Sequence, residues 1–263
     1  MLNLERMEYV WKEIQEKKTV YVDQLAKKYY VSPSTIRRDL GELEKQGLIR
    51  RTYGGGILVE KESSEIPYQV RKNEKRDAKD AISRLGADLV GDGMYISMDT
   101  TTTVASIVRH LQSKTDLKII TTSAQTALEC LDHLTAQIYC TGGWMSSISR
   151  GFTGEAARSR LEEFYTDFLF LSGRSVSMDK CLMDVNEEDV FLKQTMIKNT
   201  RHTVLLCDSS KMNTYSYRQV CNWSQIEYMI TEKKPSEDWL STLSEFGVKV
   251  LYPGIENCEL HKL

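Results

Sequence analysis

The sequence predicts an α/β chain in two parts: a small N-terminal helix-turn-helix head with a β-wing, then a larger body built on a doubly wound parallel sheet. Three observations predict this. Two short amphipathic stretches and a third that opens on a proline precede a glycine-rich turn before residue 59. Residues 59–79 are mostly charged, with little apolar periodicity, and read as a connector. Beyond residue 80, short apolar runs alternate with amphipathic stretches, the pattern of strands and their covering helices. The expected divisions are therefore 1–58, 59–79 and 80–263.

A chain of 263 residues, 41% hydrophobic and 27% charged, is long enough to bury a full core without covalent staples. Charges break its apolar stretches well short of a membrane span, and Glu5, Glu8 and Glu13 interrupt any leader-like apolar run at the start. The expectation is a soluble, cytoplasmic protein without a membrane partner. Its six cysteines are scattered, with no CxxC and no histidine at ligand spacing, so they read as thiols, and neither a metal nor a cofactor is expected.

In the head, Leu4, Met7, Val10, Trp11 and Ile14 recur at the spacing of one buried helical stripe. In "VDQLAKKYY", Val22, Leu25, Ala26 and Tyr29 share a face, and "VS" then breaks the chain tightly. Ser32 suits the N-cap of a third helix and Pro33 its first position, where a missing N–H costs nothing. At about 100° per residue, Ile36, Leu40, Leu43 and Gly47 face inward. Ser34, Arg38, Gly41 and Lys45 then face outward, with Thr35 and Arg37 on the shoulders and Asp39, Glu42 and Glu44 toward the flanks. An outward ridge of hydroxyl, arginine, glycine and lysine, free of carboxylates, suits the major groove of double-stranded DNA.

Gly47 reads as the helix stop. "LIRRTYGGGILV" follows as two short runs around a glycine turn, a wing. Arg50 and Arg51 lie where the first wing strand leaves the helix, and Gly54, Gly55 and Gly56 would let backbone approach a phosphate. Charge agrees: residues 1–58 carry 11 Lys+Arg against 8 Asp+Glu, whereas residues 59–263 carry 24 against 29. A polyanion therefore suits the head and not the body.

The stretch "VSPSTIRRDLGELEKQGLIRRTYGGG" resembles the winged helix of the DeoR family of bacterial transcriptional regulators, where VS, TIRRDL, LE, G and a GG-bearing wing recur in this order. The resemblance implies that Ser32, Ser34, Thr35, Arg37 and Arg38 form the DNA-reading end of the recognition helix, with Arg50, Arg51 and Tyr53 at the backbone. It continues through "EIPYQVRKNEKRDAKDAI", similar to the segment that joins the two domains of such regulators.

In the body, "MYISMD", "KIITT", "AQIYCTGG", "DFLFLSG", "TVLLCDSS", "EYMIT" and "VKVLY" are strand candidates. Helices are expected near 102–112, 124–132, 153–163, 187–200 and 236–246. Ligands of such sheets sit beyond the carboxyl ends of the strands, so the residues just after each strand matter. These are Asp99, Thr100, Thr101, Thr102 and Thr103 after the first, Thr122 and Ser123 after the second, Gly142 and Gly143 after the third, and Asp208 and Lys211 after a later one. Together they read as a site for a phosphate-sized anion.

The resemblance covers this half as well. The effector domain of the DeoR family is similar to ribose-5-phosphate isomerase, carries D-x-G-T-T, T-N-S, G-G and D-S-S-K, and takes phosphorylated sugars. Asp99, Thr102, Thr103, Ser123, Gly142, Gly143, Asp208, Ser209, Ser210 and Lys211 match. Thr101 stands where glycine is usual and Thr122 where asparagine is usual; a β-branched residue there is expected to narrow the loop and to disfavour positive φ. "DVFLKQTM" resembles the family's E-A-x-x-K-x-x-M, with Asp189 for the glutamate.

The leading expectation is a DNA-binding transcriptional regulator, a repressor of carbohydrate metabolism genes controlled by a phosphorylated sugar or a related metabolite. A palindromic operator calls for a homodimer or homotetramer. One alternative is a sugar-phosphate isomerase-like enzyme, with Lys211 as enediolate stabiliser and a base among Glu187, Glu188 and Asp189. Acidic residues at a helix start are more simply explained by the helix dipole, so no catalytic residue is assigned. Another alternative is a DNA-binding oligomer without an effector.

Overall fold

A computed structural model describes residues 3–45, 48–58 and 66–254. The helix-stopping Gly47, most of the connector's first half and Cys258 lie outside the described residues. The chain divides into two units between Asn73 and Glu74, six residues before the connector was expected to end.

In the first unit, helix α1 (Asn3–Lys17) is followed by strand β1 (Thr19–Tyr21), helix α2 (Val22–Lys28) and helix α3 (Pro33–Lys45). Strands β2 (Ile49–Thr52) and β3 (Gly55–Leu58) form an antiparallel wing, and helix α4 (Tyr68–Asn73) closes the unit. The core is Val10, Trp11 and Ile14 from α1, Val22, Leu25 and Ala26 from α2, and Ile36, Leu40 and Leu43 from α3, joined by Val20, Leu48 and Ile49. Full burial of an aliphatic side chain of this kind contributes about 1.5–3 kcal/mol. Ser32 caps α3, its Oγ accepting the Thr35 N–H at 3.2 Å.

Three features depart from the sequence reading. Strand β1 was not foreseen; at three residues it has no periodicity of its own, and it exists because β3 pairs with it, Tyr21 opposite Gly55. That pairing reassigns Gly55. A Cβ there would lie 1.9 Å from the Val20 carbonyl oxygen, and one at Gly56 would lie 2.8 Å from Ile49 Cδ1. Both glycines are buried by strand packing and offer no approach to a phosphate; only Gly54, at the wing tip, stays open. Third, the connector is partly helical, since Val70 of α4 packs on the head core and α5 (Arg76–Asp88) begins the second unit.

The second unit continues with strand β4 (Tyr95–Met98), helix α6 (Thr102–Ala105) running into a 3₁₀ turn at Ser106–His110, strand β5 (Lys118–Thr121), helix α7 (Ala124–His133) and strand β6 (Gln137–Cys140). A hairpin of β7 (Trp144–Met145) and β8 (Phe152–Thr153) leads to helix α8 (Glu155–Glu162) and strand β9 (Thr166–Leu171). Next come β10 (Ser175–Ser177), β11 (Cys181–Asp184), helix α9 (Glu187–Lys198), β12 (Thr200–Leu206), β13 (Arg218–Gln219), β14 (Tyr228–Ile230), helix α10 (Glu237–Glu245) and β15 (Lys249–Leu251).

All seven strand candidates meet in one parallel sheet, in the order β15-β14-β12-β9-β4-β5-β6. Alternate residues face opposite layers: Phe168, Phe170, Val204 and Leu206 join the core under α5 to α7, whereas Leu169, Leu171 and Leu205 join the core under α8 to α10. Burial on both faces is why these strands read as unbroken apolar runs. Strand order reverses between β4 and β9, so the crevice at their carboxyl ends is the switch point where such sheets bind ligands. A small antiparallel sheet, β10-β11-β13, was not foreseen; strands of two to four residues carry little pattern.

Two predictions follow from the head. Gly55→Ala should cost its stability more than about 2 kcal/mol through the backbone clash, whereas Gly54→Ala should stay within about 0.5 kcal/mol; chemical denaturation measures both. Burial alone would raise the pKa of Glu13, but hydrogen bonds from Lys17 at 2.6 Å and from Lys28 and Tyr29 at 2.8 Å prevail and lower it from 4.5 to about 2. A lowered carboxylate stabilises the fold above its unfolded value and stops doing so as pH falls through the folded one. Glu13→Gln should therefore flatten the pH dependence of head stability between about 4.5 and 2, read by hydrogen exchange of head amides.

Candidate functional site

On the open side of α3, the sequence places hydroxyls first and cations after them. Ser32 Oγ lies 2.7 Å from Ser34 Oγ and 2.8 Å from Thr35 Oγ1, a cluster at the exposed tip of the helix. One turn on, Arg37 and Arg38 are exposed, and neither they nor Arg50 in β2 have an acidic partner among the described residues. The rest of the ridge is different. Lys45 Nζ bonds Glu42 at 2.8 Å, one turn back on the same face, where such pairs meet. Glu44 accepts the Arg51 backbone N–H at 2.8 Å, with the Arg51 guanidinium 4.0 Å away and passing over Gly41. The expected carboxylate-free ridge thus holds for its first half and fails at Lys45.

Asp39 also departs from its expected place on the flank. It is buried, and Arg6 of α1 grips it with two hydrogen bonds, of 2.6 and 3.0 Å. Its position lies about 40° from Leu43 and about 60° from Ile36 around the helix, at the border of the inward stripe, so the carboxylate must be paired to be tolerated there. Tyr53 and Gly54 form the exposed tip of the wing, beyond the Arg50–Arg51 pair.

In the body, the residues after the strands do converge, in two linked groups. The first is a chain of charges across the switch point. Asp99 Oδ1 accepts the Thr101 N–H at 2.8 Å and its hydroxyl at 2.6 Å; Oδ2 accepts the Ser172 N–H at 2.9 Å. Lys193 of α9 lies 3.6 Å from the same oxygen and 2.6 Å from Asp184. Burial would lower the Lys193 pKa, but Asp184, Asp99 and Asp189 outweigh it, so the ammonium is held charged. On the other side, Lys211 donates to Ser172 Oγ at 2.9 Å and stands 3.6 Å from Asp208. Asp208 caps the turn at Ser209–Lys211. Its burial raises its pKa, but Lys211, the Ser210 hydroxyl and N–H, and the buried Lys79 of α5 together bring it below the ordinary value.

The second group is the hydroxyl rim. Thr100, Thr101, Thr102, Thr103, Thr122 and Ser123 are all buried. Thr101 caps α6 with φ −79°, so the glycine usual at this position is not needed for its backbone, and the expected strain is absent. Ser123 caps α7, accepting the Thr126 N–H at 3.0 Å. A strap of residues 146–152 covers these groups: Phe152 N–H donates to the Thr122 carbonyl at 2.7 Å, Ala124 N–H to the Arg150 carbonyl at 3.1 Å. The strap comes so close that a Cβ on Gly151 would lie 2.2 Å from Thr100 Cγ2. Gly142 and Gly143 both take positive φ, +68° and +106°, and let the chain turn from β6 into the hairpin.

Sequence reasoning missed Ser172, Asp184, Lys79 and the strap. The first had a visible signal, the "SG" closing "DFLFLSG"; Lys79 had none, being one of many charges in an apparent connector. Among the described residues, no group of three or more His, Cys, Asp or Glu side chains is arranged to hold a metal ion, and no helix is long and apolar enough to cross a membrane.

Set beside known proteins, residues 6–62 match the DeoR-like helix-turn-helix domain and residues 74–233 the DeoR C terminal sensor domain. The chain is 30% identical to the HTH-type transcriptional repressor CsqR of Escherichia coli K12 over 244 residues, covering 91% of this chain and 92% of that one. It is 29% identical to the HTH-type transcriptional repressor GlcR of Bacillus subtilis 168, over 95% of this chain and 96% of that one. It is 28% identical to the glycerol-3-phosphate regulon repressor of Escherichia coli K12, over 88% and 91%. Among solved structures, ribose 5-phosphate isomerase A of Methanocaldococcus jannaschii overlays with a TM-score of 0.39 and 20% identity, over 53% of this chain and 55% of that one.

The charge chain makes a stability prediction. Lys193→Met leaves Asp99 and Asp184 without their buried counter-charge and should cost about 3–5 kcal/mol, measured by urea denaturation. A loss below 1 kcal/mol would mean that the carboxylates are neutralised by other groups.

Proposed function

The chain belongs to the DeoR family of transcriptional regulators, and from that premise we propose that it is a repressor of carbohydrate metabolism genes, released from its operator by a phosphorylated sugar or related metabolite. One observation carries the DNA half: Arg37 and Arg38 stand exposed and unpaired beside a hydroxyl cluster, while Arg6, Lys45 and Arg51 are engaged by carboxylates of the head. Cations left without partners are the ones available to a polyanion. In this reading Ser32, Ser34, Thr35, Arg37 and Arg38 meet base edges and nearby phosphates in the major groove, and Arg50, Tyr53 and Gly54 meet the backbone, where Arg51 joins them by exchanging Glu44, 4.0 Å away, for a phosphate. Two heads related by a two-fold axis read a palindrome, so the working form is a homodimer or homotetramer.

The effector half rests on the rim. Asp99, Thr100 to Thr103, Thr122, Ser123, Gly142, Gly143, Asp208 and Lys211 lie at strand carboxyl ends around the switch point, where a ligand of a doubly wound sheet sits. One relative is named for a glycerol-3-phosphate regulon, which supports a phosphorylated ligand. Coupling between rim and head is of the usual size, about 1–3 kcal/mol, and reciprocal: operator weakens ligand by the factor that ligand weakens operator.

A second reading, a DNA-binding oligomer without effector, draws on a specific observation. The strap covers the hydroxyls, and the rim lysines are already paired with Asp99, Asp184 and Asp208. An isomerase draws no such support, for Lys211 is tied to Ser172 and Asp208 and the buried Asp189 faces Lys193.

Gel shifts over genomic fragments test the DNA half. Arg38→Ala should lose about 1–3 kcal/mol of preference for its best site while keeping much of its nonspecific binding; an equal loss on every sequence would make Arg38 a phosphate contact. Arg50→Ala should weaken all sequences alike and flatten the log-log salt dependence by about 0.9.

Thermal shift with glucose 6-phosphate, fructose 6-phosphate and glycerol 3-phosphate tests the effector half. A probe at 100 times its Kd should add about 2.7 kcal/mol of stability, and Lys211→Ala should abolish the gain. No gain with any phosphorylated sugar would favour the effector-free reading.

A further inference from the structure

Strand β6 ends the large sheet, and among the described residues no strand pairs with its outer side. Edge strands of soluble proteins are ordinarily blunted by charge, by proline or by a covering segment, because their unpaired N–H and C=O groups template further pairing. Strand β6 reads Gln-Ile-Tyr-Cys, with neither charge nor proline. The opposite edge, β15, has Lys249, whose ammonium bonds Glu227 and Tyr228 at 3.3 Å.

Exposed apolar side chains flank β6 on both sides of the sheet, with Asp132 and His133 beside Leu131 and the Arg160 guanidinium 5.9 Å from the Tyr139 ring centroid as the polar margin. Leu128 and Leu131 of α7 are 56% and 66% exposed, Tyr139 of β6 is 39% exposed, and Trp144 and Met145 of β7 are 82% and 61% exposed. Cα neighbours on the strand alternate: Ile138 packs inward beneath α7, while Tyr139 packs against Phe164, ring centroids 4.7 Å apart and ring planes tilted by 47°. At about 200 Å² for a side chain of this size, the five leave on the order of 600 Å² of mostly apolar surface in water. A stable pair of proteins buries about 800 Å² on each partner, so these side chains and the strand's own backbone are of the right extent for one partner.

We propose that this edge, β6 with Leu128, Leu131, Trp144 and Met145 around it, is the surface through which two copies of this chain pair, β6 lying antiparallel to β6 of the second copy. The patch meets itself across a two-fold axis, as an isologous contact must, and the pairing satisfies the open backbone of both strands in one continuous sheet. The proposal rests on the reading that the regulator works as a symmetric pair, and says which surface makes the pair.

The test uses the full chain with Cys258→Ser. Of the remaining cysteines, Cys140 in β6 is exposed, and Cys130, Cys181, Cys207 and Cys221 are buried. Light scattering should give a multiple of two of the 30.2 kDa chain mass, and maleimide should label Cys140 slowly at assembled concentrations. Leu131→Glu and Trp144→Glu, both at exposed positions, should halve the mass and speed Cys140 labelling at least 10-fold, without moving the melting temperature of the dissociated chain. Phe246→Glu, exposed after α10, should leave mass and labelling as they were.

Wild-type assemblies that keep their mass in both glutamate variants and label rapidly at Cys140 would overturn this surface but leave the paired regulator standing. A wild-type chain at its single-chain mass would overturn both. Slow labelling of Cys140 in a single-chain species would mean that a segment of the same chain covers the edge, and would overturn the proposal too.

Discussion

The body is organised around a lysine that has no water to keep it charged. Lys193 sits in α9 with its ammonium almost fully enclosed, 2.6 Å from Asp184 and 3.6 Å from Asp99. A cation so placed is tolerable only if its partners are held in place, and they are: Asp99 by the N–H groups of Thr101 and Ser172, Asp184 by its strand in the small sheet. Through Ser172 the chain of contacts runs on to Lys211 and Asp208, so the carboxyl ends of β4, β9 and β12 are tied at the point where strand order reverses. The charges at these strand ends are therefore already paired with one another.

The head uses pairing for a different end. Arg6 is spent on Asp39, Lys17 and Lys28 on Glu13, Lys45 on Glu42. These contacts tie α1 to α3, α1 to α2, and α3 to itself. Among the described residues they leave Lys12, Lys27, Arg37, Arg38 and Arg50 without an acidic partner, and of these Arg37 and Arg38 stand on α3 beside its hydroxyls; it is the distribution of partners rather than the net charge of the head that sets them apart. Counting residues from 1 to 58 gives an excess of only three positive charges, too weak a signal to locate a surface.

The strap over the hydroxyl rim bears on how a ligand could enter. Residues 146–152 are bound by main-chain hydrogen bonds to Thr122 and Ala124, with Arg150 in a left-handed conformation at φ +56°. Such a conformation costs a non-glycine residue about 1 kcal/mol or more. A ligand that needed the rim uncovered would draw on its own affinity to move the strap, and its apparent Kd would rise in proportion. One that bound at the Lys211 side would not.

Much of the fold was legible in residue order alone. Helical stripes in α1 to α3, the Ser32–Pro33 start and all seven parallel strands follow from periods and caps, which are local properties of the chain. Strand β1, helix α4 inside the charged connector and the small sheet β10-β11-β13 were not, because elements of two to six residues draw their stability from partners distant in sequence. The same division runs through the candidate site. Which residue types stand after each strand could be read directly; that Asp39 is buried, that Glu42 captures Lys45, that Gly55 is excluded from a ligand by Val20, and that Lys193 closes on Asp99 could not. Sequence determines periodicity, and so which face of each element turns inward. Only the packed chain decides which charges neutralise one another, because ion pairing depends on distances of a few ångströms between residues tens of positions apart.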